Sequence, residues 1–111
     1  MKPQHKDQFS KMLKFAYNAT VIANDIALDK LANDVPYQYS LLYPLGQIGE
    51  TAINMGSGIP ELYPGIEWSD WRGFRNRAFH DYDTIDFPIV LEMITEALPL
   101  LLTELHKIHD N

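Results

Sequence analysis

The chain predicts an all-α domain, an up-and-down bundle of four main helices. Apolar residues recur at helical spacing in four separate segments, and proline- or glycine-bearing breaks divide those segments. No segment alternates apolar and polar residues with the period of two that a half-buried strand requires. With 111 residues, 46% of them hydrophobic, the chain can bury one core without disulfides and reads as a single domain, 1–111.

The first segment runs from about Gln8 to Leu31 through Phe9, Met12, Leu13, Ala16, Ala19, Ala23, Ile26 and Ala27, with lysines largely on the other side. Asn33-Asp34-Val35-Pro36 then breaks the pattern, because proline disfavours helix in the residue before it. A second helix is expected from about Tyr37 to Met55 through Leu41, Leu42, Leu45, Ile48, Ala52 and Ile53. Gly46 and Gly49 fall inside it. Glycines three apart cost helix stability but let another helix approach closely.

The main loop spans Gly56 to Gly65 and carries Pro60 and Pro64. A third, shorter helix should begin near Trp68 or Ser69, bury Trp71, Phe74 and Ala78, and end around His80 to Asp83. Asp86 is the expected N-cap of a long fourth helix, with Pro88 in its first turn and Val90, Met93, Ile94, Ala97, Leu98, Leu101, Leu105 and Ile108 facing inward. Pro99 inside it predicts a kink.

Zero cysteines exclude a disulfide framework, a thiol nucleophile and thiolate metal sites. The polar start, Met1 to Gln8, leads into no long apolar stretch, and no run approaches the roughly 20 residues that cross a bilayer. A cytoplasmic protein without a membrane partner is expected. The net charge of −6 argues against a broad nucleic-acid surface, yet the charge is uneven: positions 31 to 71 hold no positive side chain at all. A polyanion site would have to be local.

The arginines supply such a place. All three, Arg72, Arg75 and Arg77, fall within six residues, beside Asn76 and His80 and shortly before Tyr82. A guanidinium offers a planar fork to phosphate or carboxylate oxygens, and histidine is the side chain suited to moving protons near neutral pH. On an ideal helix Asn76 and Arg77 lie within roughly 40° and 60° of His80, whereas Arg75 lies about 140° away. Arg75 therefore joins His80 only if the helix ends or distorts early, if its long side chain wraps, or if a second subunit closes the site. The plain alternative is that the arginines pair with Asp70, Asp81, Asp83 or Asp86 and the histidine answers the helix dipole. His106 and His109 lack a well-placed third ligand, and no metal or cofactor motif is present.

Tyr43-Pro44-Leu45-Gly46-Gln47-Ile48-Gly49-Glu50-Thr51-Ala52, Ile66-Glu67-Trp68, Gly73-Phe74-Arg75-Asn76-Arg77-Ala78-Phe79-His80-Asp81-Tyr82, Ile85-Asp86 and Leu98-Pro99 occur in this order. Together they resemble the HepT-like branch of the HEPN superfamily over about positions 40 to 105. The most specific element is the RxxxxHxY pattern of Arg75, His80 and Tyr82, with the polar Asn76 after the arginine. The chain departs from that family in having Asp83-Thr84 before Ile85-Asp86, where Phe-Gly is frequent.

The resemblance implies a helical homodimer acting as a metal-independent endoribonuclease without cofactor. It implies a toxin paired with a nucleotidyltransferase antitoxin that adenylylates Tyr82. Arg75 and His80 become the catalytic pair, with Asn76, Arg72, Arg77 and Tyr82 supporting or binding substrate. The competing expectation is a non-catalytic helical module that binds a nucleotide or an acidic partner surface.

Overall fold

The computed structural model describes the backbone of residues 2–24, 28–56 and 58–110, and their side chains except at 28–30, 82 and 110. Helix α1 spans Pro3–Asn24, α2 Leu28–Asn33, α3 Val35–Ile53, α4 Ile59–Leu62, α5 Trp68–His80, α6 Phe87–Glu92 and α7 Leu98–Asp110. A 3₁₀ turn over Tyr82–Thr84 follows α5, and a π turn over Met93–Ala97 joins α6 to α7 into one long helical rod. The described residues contain no strand, and the four main helices are α1, α3, α5 and the α6–α7 rod.

Several boundaries differ from expectation for identifiable reasons. Helix α1 begins at Pro3 rather than near Gln8, because the Lys2 carbonyl accepts from the amides of His5 and Lys6 and a proline in the first turn forfeits no helical bond. Ile26 and Ala27, expected in its apolar stripe, lie outside the described residues, while Leu31 is buried from α2. Helix α3 starts at Val35, two residues before the expected Tyr37: Asp34 caps it, its Oδ1 accepting from the Tyr37 amide at 3.3 Å, so Pro36 sits in a first turn that tolerates it. Pro44 is buried inside the same helix.

The loop after α3 turns at Gly56 and Gly58, whose φ angles of 87° and 94° favour glycine, and it contains the single-turn α4 that was expected to be loop. Trp68 pins its far end by donating Nε1–H to the Tyr63 carbonyl at 2.9 Å, and Phe9 of α1 meets both rings edge-on. Asp86 occupies the N-cap position of α6, but its side chain makes no capping bond; its carbonyl accepts from Ile89 and Val90 instead. Pro99 expresses itself through the π turn just before it, where the Leu98 amide reaches back five residues to the Met93 carbonyl. Widening that turn relieves the clash a proline ring makes with the carbonyl four residues earlier.

Helix α3 is the centre of the bundle, packing most extensively against α5 and next against α1, while α7 closes the other side of α1. Its neighbours run antiparallel to it. The Gln8 side chain donates to the Asn54 carbonyl while Phe15 meets Tyr43, which sets the register of α1 on α3. The core between them holds Met12, Ala16, Leu41, Leu45, Ile48, Ala52, Trp71, Leu101 and Leu105, all nearly inaccessible. No described helix is long and apolar enough to cross a membrane.

The crossing of α3 and α5 positions the chemistry. A Cβ on Gly49 would collide with the Trp71 carbonyl oxygen and the Arg75 Cβ, and one on Gly46 would stand 2.6 Å from the Phe79 ring. Both glycines are therefore required by close helix approach, as their spacing suggested, and they bring the next residue of α3 against Arg75.

Candidate active site

That next residue is Glu50. The Arg75 Nε donates to Glu50 Oε2 at 2.6 Å, and the two side chains remain 23% and 31% exposed. Arg75 Nη1 donates to Asn76 Oδ1 at 3.0 Å and stands 3.5 Å from His80 Nε2. The guanidinium carbon lies 5.3 Å from the centroid of the Phe79 ring, within cation–π range. Four side chains thus converge on one guanidinium.

This geometry answers the angular difficulty. Helix α5 stays helical through His80, with the Asp81 amide still bonded to the Arg77 carbonyl at 2.9 Å. Of the three ways Arg75 could join His80, the structure shows the second: the side chain wraps across Phe79 and is held there by Glu50. One chain suffices to bring the pair together. Arg75 does not pair with Asp70, Asp81, Asp83 or Asp86, the aspartates that sequence proximity offered.

An exposed or half-exposed ion pair contributes only about 0–1 kcal/mol to stability, so the Glu50–Arg75 bond matters for direction more than for folding. It takes the Nε side of the fork and leaves Nη1 to Asn76 and His80. Among the described residues Nη2 makes no hydrogen bond. Because a guanidinium only donates, the contact with His80 is favourable when Nε2 is unprotonated and its lone pair points toward Nη1. A basic nitrogen and an anion-binding fork then share one exposed surface.

The other expected residues divide. Asn76 is exposed and bonded to Arg75. Arg72 is half-buried, and its Nε is buried with no hydrogen-bond partner among the described residues. Arg77 lines a different groove, between α5 and the α6–α7 rod, with Glu67, Asp70, Glu92 and Glu96. There the Glu67 carboxyl is pushed up from its ordinary range, first by its hydrogen bond with Asp70 and then by the negative charges of Asp70 and Glu92. Tyr82 opens the 3₁₀ turn two residues beyond His80; its side chain lies outside the described residues.

Glu50 went unassigned in the sequence, although signals for it exist. It is the sole acidic residue of α3 and follows Gly49, where another helix had to approach. A carboxylate beside a close crossing needs a cation, and Arg75 is the one α5 supplies.

Known proteins resemble this chain along most of its length. The family model described as ribonuclease HepT-like matches residues 8–108. The chain belongs to the ribonuclease HepT-like family. Among curated relatives, a candidate RNase of Methanocaldococcus jannaschii is 25% identical over 93 residues, 84% of this chain and 85% of that one. The protein named "Probable ribonuclease HepT" of Thermococcus cleftensis is 23% identical over 108 residues, 97% of this chain and 98% of its own. A second candidate RNase of M. jannaschii is 27% identical over 84 residues, 76% of this chain and 72% of that protein. No solved structure matches the chain significantly. The HepT-like bundle is thus shown by family as well as by its helices, and the cluster on Arg75 lies within the matched span.

Proposed function

We propose that this HepT-like protein is an endoribonuclease that cuts RNA without a metal ion, using the RNA's own 2′-hydroxyl as nucleophile. The approach of Arg75 Nη1 to His80 Nε2, with Glu50 holding the other side of the guanidinium, carries the reading. When the RNA phosphate draws Arg75 Nη1 away, the His80 Nε2 lone pair is released and takes the proton of the 2′-hydroxyl, and the 2′-oxygen attacks the adjacent phosphorus. The bond from phosphorus to the 5′-oxygen breaks, and that oxygen takes a proton from solvent water as it leaves, while the proton held by His80 returns to solvent. The products are a 2′,3′-cyclic phosphate and a 5′-hydroxyl.

Arg75 meets the phosphoryl oxygens through its outward-facing nitrogens and favours the transition state, where their charge is greatest. Glu50 is a positioning residue that fixes the fork, and Asn76 holds Nη1 from the second side. Arg72 adds positive charge on the same face of α5. Arg77, across the helix in an acidic groove, contributes only at long range. Purified protein incubated with single-stranded RNA should yield ends carrying cyclic phosphate, with undiminished rate in excess chelator. RNA that is bound but never cut would instead support the non-catalytic module, and loss of cleavage in chelator would refute the metal-free scheme.

The proposal extends to a toxin silenced by a nucleotidyltransferase antitoxin that adenylylates Tyr82. An adenylyl group there adds a nucleoside and a negatively charged phosphodiester two residues along the chain from His80, and such a phosphodiester would compete with RNA for an arginine. Peptide mass spectrometry after co-expression with the partner should find the modification on Tyr82 and lose it in Tyr82→Phe. A homodimer is also proposed. Its basis is the exposed Tyr17, Val21, Leu62 and Leu100 rather than any need to complete the Arg75–His80 pair. Light scattering showing only a 12.8 kDa species would remove it.

A further inference from the structure

Beyond the cluster on Arg75, helix α3 carries an aromatic ridge that the proposed chemistry does not use. Tyr43 lies two turns before Glu50 and, at about 100° per residue, within roughly 20° of it around the helix. Tyr39 lies a further turn back, also within roughly 20° of Glu50. Both are exposed, Tyr43 at 60% and Tyr39 at 47%. Because α3 and α5 run antiparallel, with Gly49 at Arg75 and Gly46 at Phe79, moving from Glu50 toward Tyr43 follows α5 toward its His80 end.

The far flank of the ridge belongs to α1. Phe15, half-buried against the core, meets the Tyr43 ring edge-on, with centroids 6.1 Å apart and planes 74° apart. That single contact braces the ring and covers at most one of its faces. Lys11 is exposed one turn before Phe15, within roughly 40° of it, on the stretch of α1 between the Asn54 and Tyr43 contacts. A braced aromatic face and a cation therefore continue the surface that begins at Arg75.

We propose that Tyr43 is a stacking surface for a base of single-stranded RNA flanking the scissile phosphate. Every base presents a π face, and stacking on exposed aromatics holds single strands without pairing. The chain's net charge of −6 gives it little long-range pull on RNA, so affinity near the site has to come from short-range contacts of this kind. The ridge continues the surface of Arg75 and His80 and is flanked by the cation of Lys11, and that continuity favours RNA as the occupant.

The proposal rests on the ribonuclease reading, and the test separates the two. Binding is measured by fluorescence anisotropy with a 2′-O-methyl oligoribonucleotide, which lacks the nucleophile and cannot be cut. Tyr43→Leu keeps apolar packing on Phe15 but has no π face, while Tyr43→Phe keeps both. Tyr43→Leu should weaken binding about tenfold, or about 1.4 kcal/mol, with Tyr43→Phe within about twofold of wild type. On a cleavable oligoribonucleotide, KM should rise by the same factor with kcat unchanged.

Wild-type affinity in Tyr43→Leu overturns the proposal even if the protein cuts RNA. A change of oligomeric mass in Tyr43→Leu with RNA affinity retained assigns the ridge to a second copy and also overturns it. Weaker binding by Tyr43→Leu, when neither protein cuts, supports stacking and refutes the nuclease reading alone.

Discussion

The two flanks of α5 make opposite use of the same residue types. On the α3 side, one carboxylate, Glu50, faces an arginine, and its single charge is spent on orientation: the fork is turned toward Asn76 and His80 and keeps donors exposed. On the α6–α7 side, Glu67, Asp70, Glu92 and Glu96 line one groove with Arg77, and the hydrogen bond with Asp70, followed by the negative charges of Asp70 and Glu92, raises the Glu67 carboxyl. Arg75 and Arg77 are two residues apart in sequence, yet one faces an anion-ready surface and the other an anion-repelling groove. Cluster membership in sequence is therefore a poor guide to shared chemistry on a helix. What each arginine can bind depends on the carboxylates that neighbouring helices bring to it.

The largest expected effect tests the α3 flank directly. His80→Ala should lower the cleavage rate by roughly 10²–10⁴-fold, the usual contribution of a positioned acid or base. His80 is exposed, so the thermal midpoint should barely move. Cleavage retained at the wild-type rate would take His80 out of the mechanism.

The second concerns the crossing on which that flank depends. Gly49→Ala places its Cβ against the Trp71 backbone, which cannot yield, whereas Gly46→Ala meets the ring of Phe79, which can turn. Gly49→Ala should cost about 1–3 kcal/mol, read as a fall in Tm of roughly 10 °C, and Gly46→Ala less. Equal losses at the two positions would mean that the helices separate freely at both.

Glu50 comes next. Glu50→Ala should reduce kcat/KM about tenfold with the fold intact, and Glu50→Gln should recover part of that loss, because an amide oxygen still accepts from Arg75 Nε through a weaker, uncharged bond. If Glu50→Gln were no better than Glu50→Ala, the charge rather than the direction of the bond would be what matters.

On the opposite flank the effects shrink. Arg77→Gln should change cleavage by less than about twofold at physiological salt, where charges beyond about 8 Å are largely screened. A large loss would place RNA in the acidic groove and erase the contrast between the flanks. The smallest effect is on stability. Since the folded-state pKa of Glu67 is raised above its ordinary 4.5, the native state binds that proton more tightly than the unfolded chain. Its favourable contribution is present below the ordinary value and lost as pH rises through the folded one. Glu67→Gln should therefore raise Tm slightly at pH 7 and have no effect in acid, which melting curves at both conditions would check.

Much of this protein is written locally. The four apolar stripes determine four main helices, the Trp71-Phe74-Ala78 stripe determines which face of α5 is buried, and Gly46 and Gly49 announce a close helix crossing. The order of motifs is also enough to mark the HepT-like family. Helix starts were less readable: Pro3 and Pro36 read as breaks or neutral positions until backbone geometry placed them in first turns, where a missing N–H costs nothing. The π turn before Pro99 likewise depends on how a whole helix accommodates one ring.

The site itself needed tertiary structure, because angular position on one helix says where a Cβ points and not where a long side chain ends. By spacing alone Arg75 and His80 lie about 140° apart. They meet because Phe79 offers a surface to cross and because Glu50, 25 residues earlier in the chain, pulls Nε at the far side of a glycine-lined crossing. Sequence by itself determined the residues and the helices that carry them. Only packing decided which arginine reaches the histidine and which lines the acidic groove, since Glu50 comes from α3, and Glu92 and Glu96 come from the α6–α7 rod.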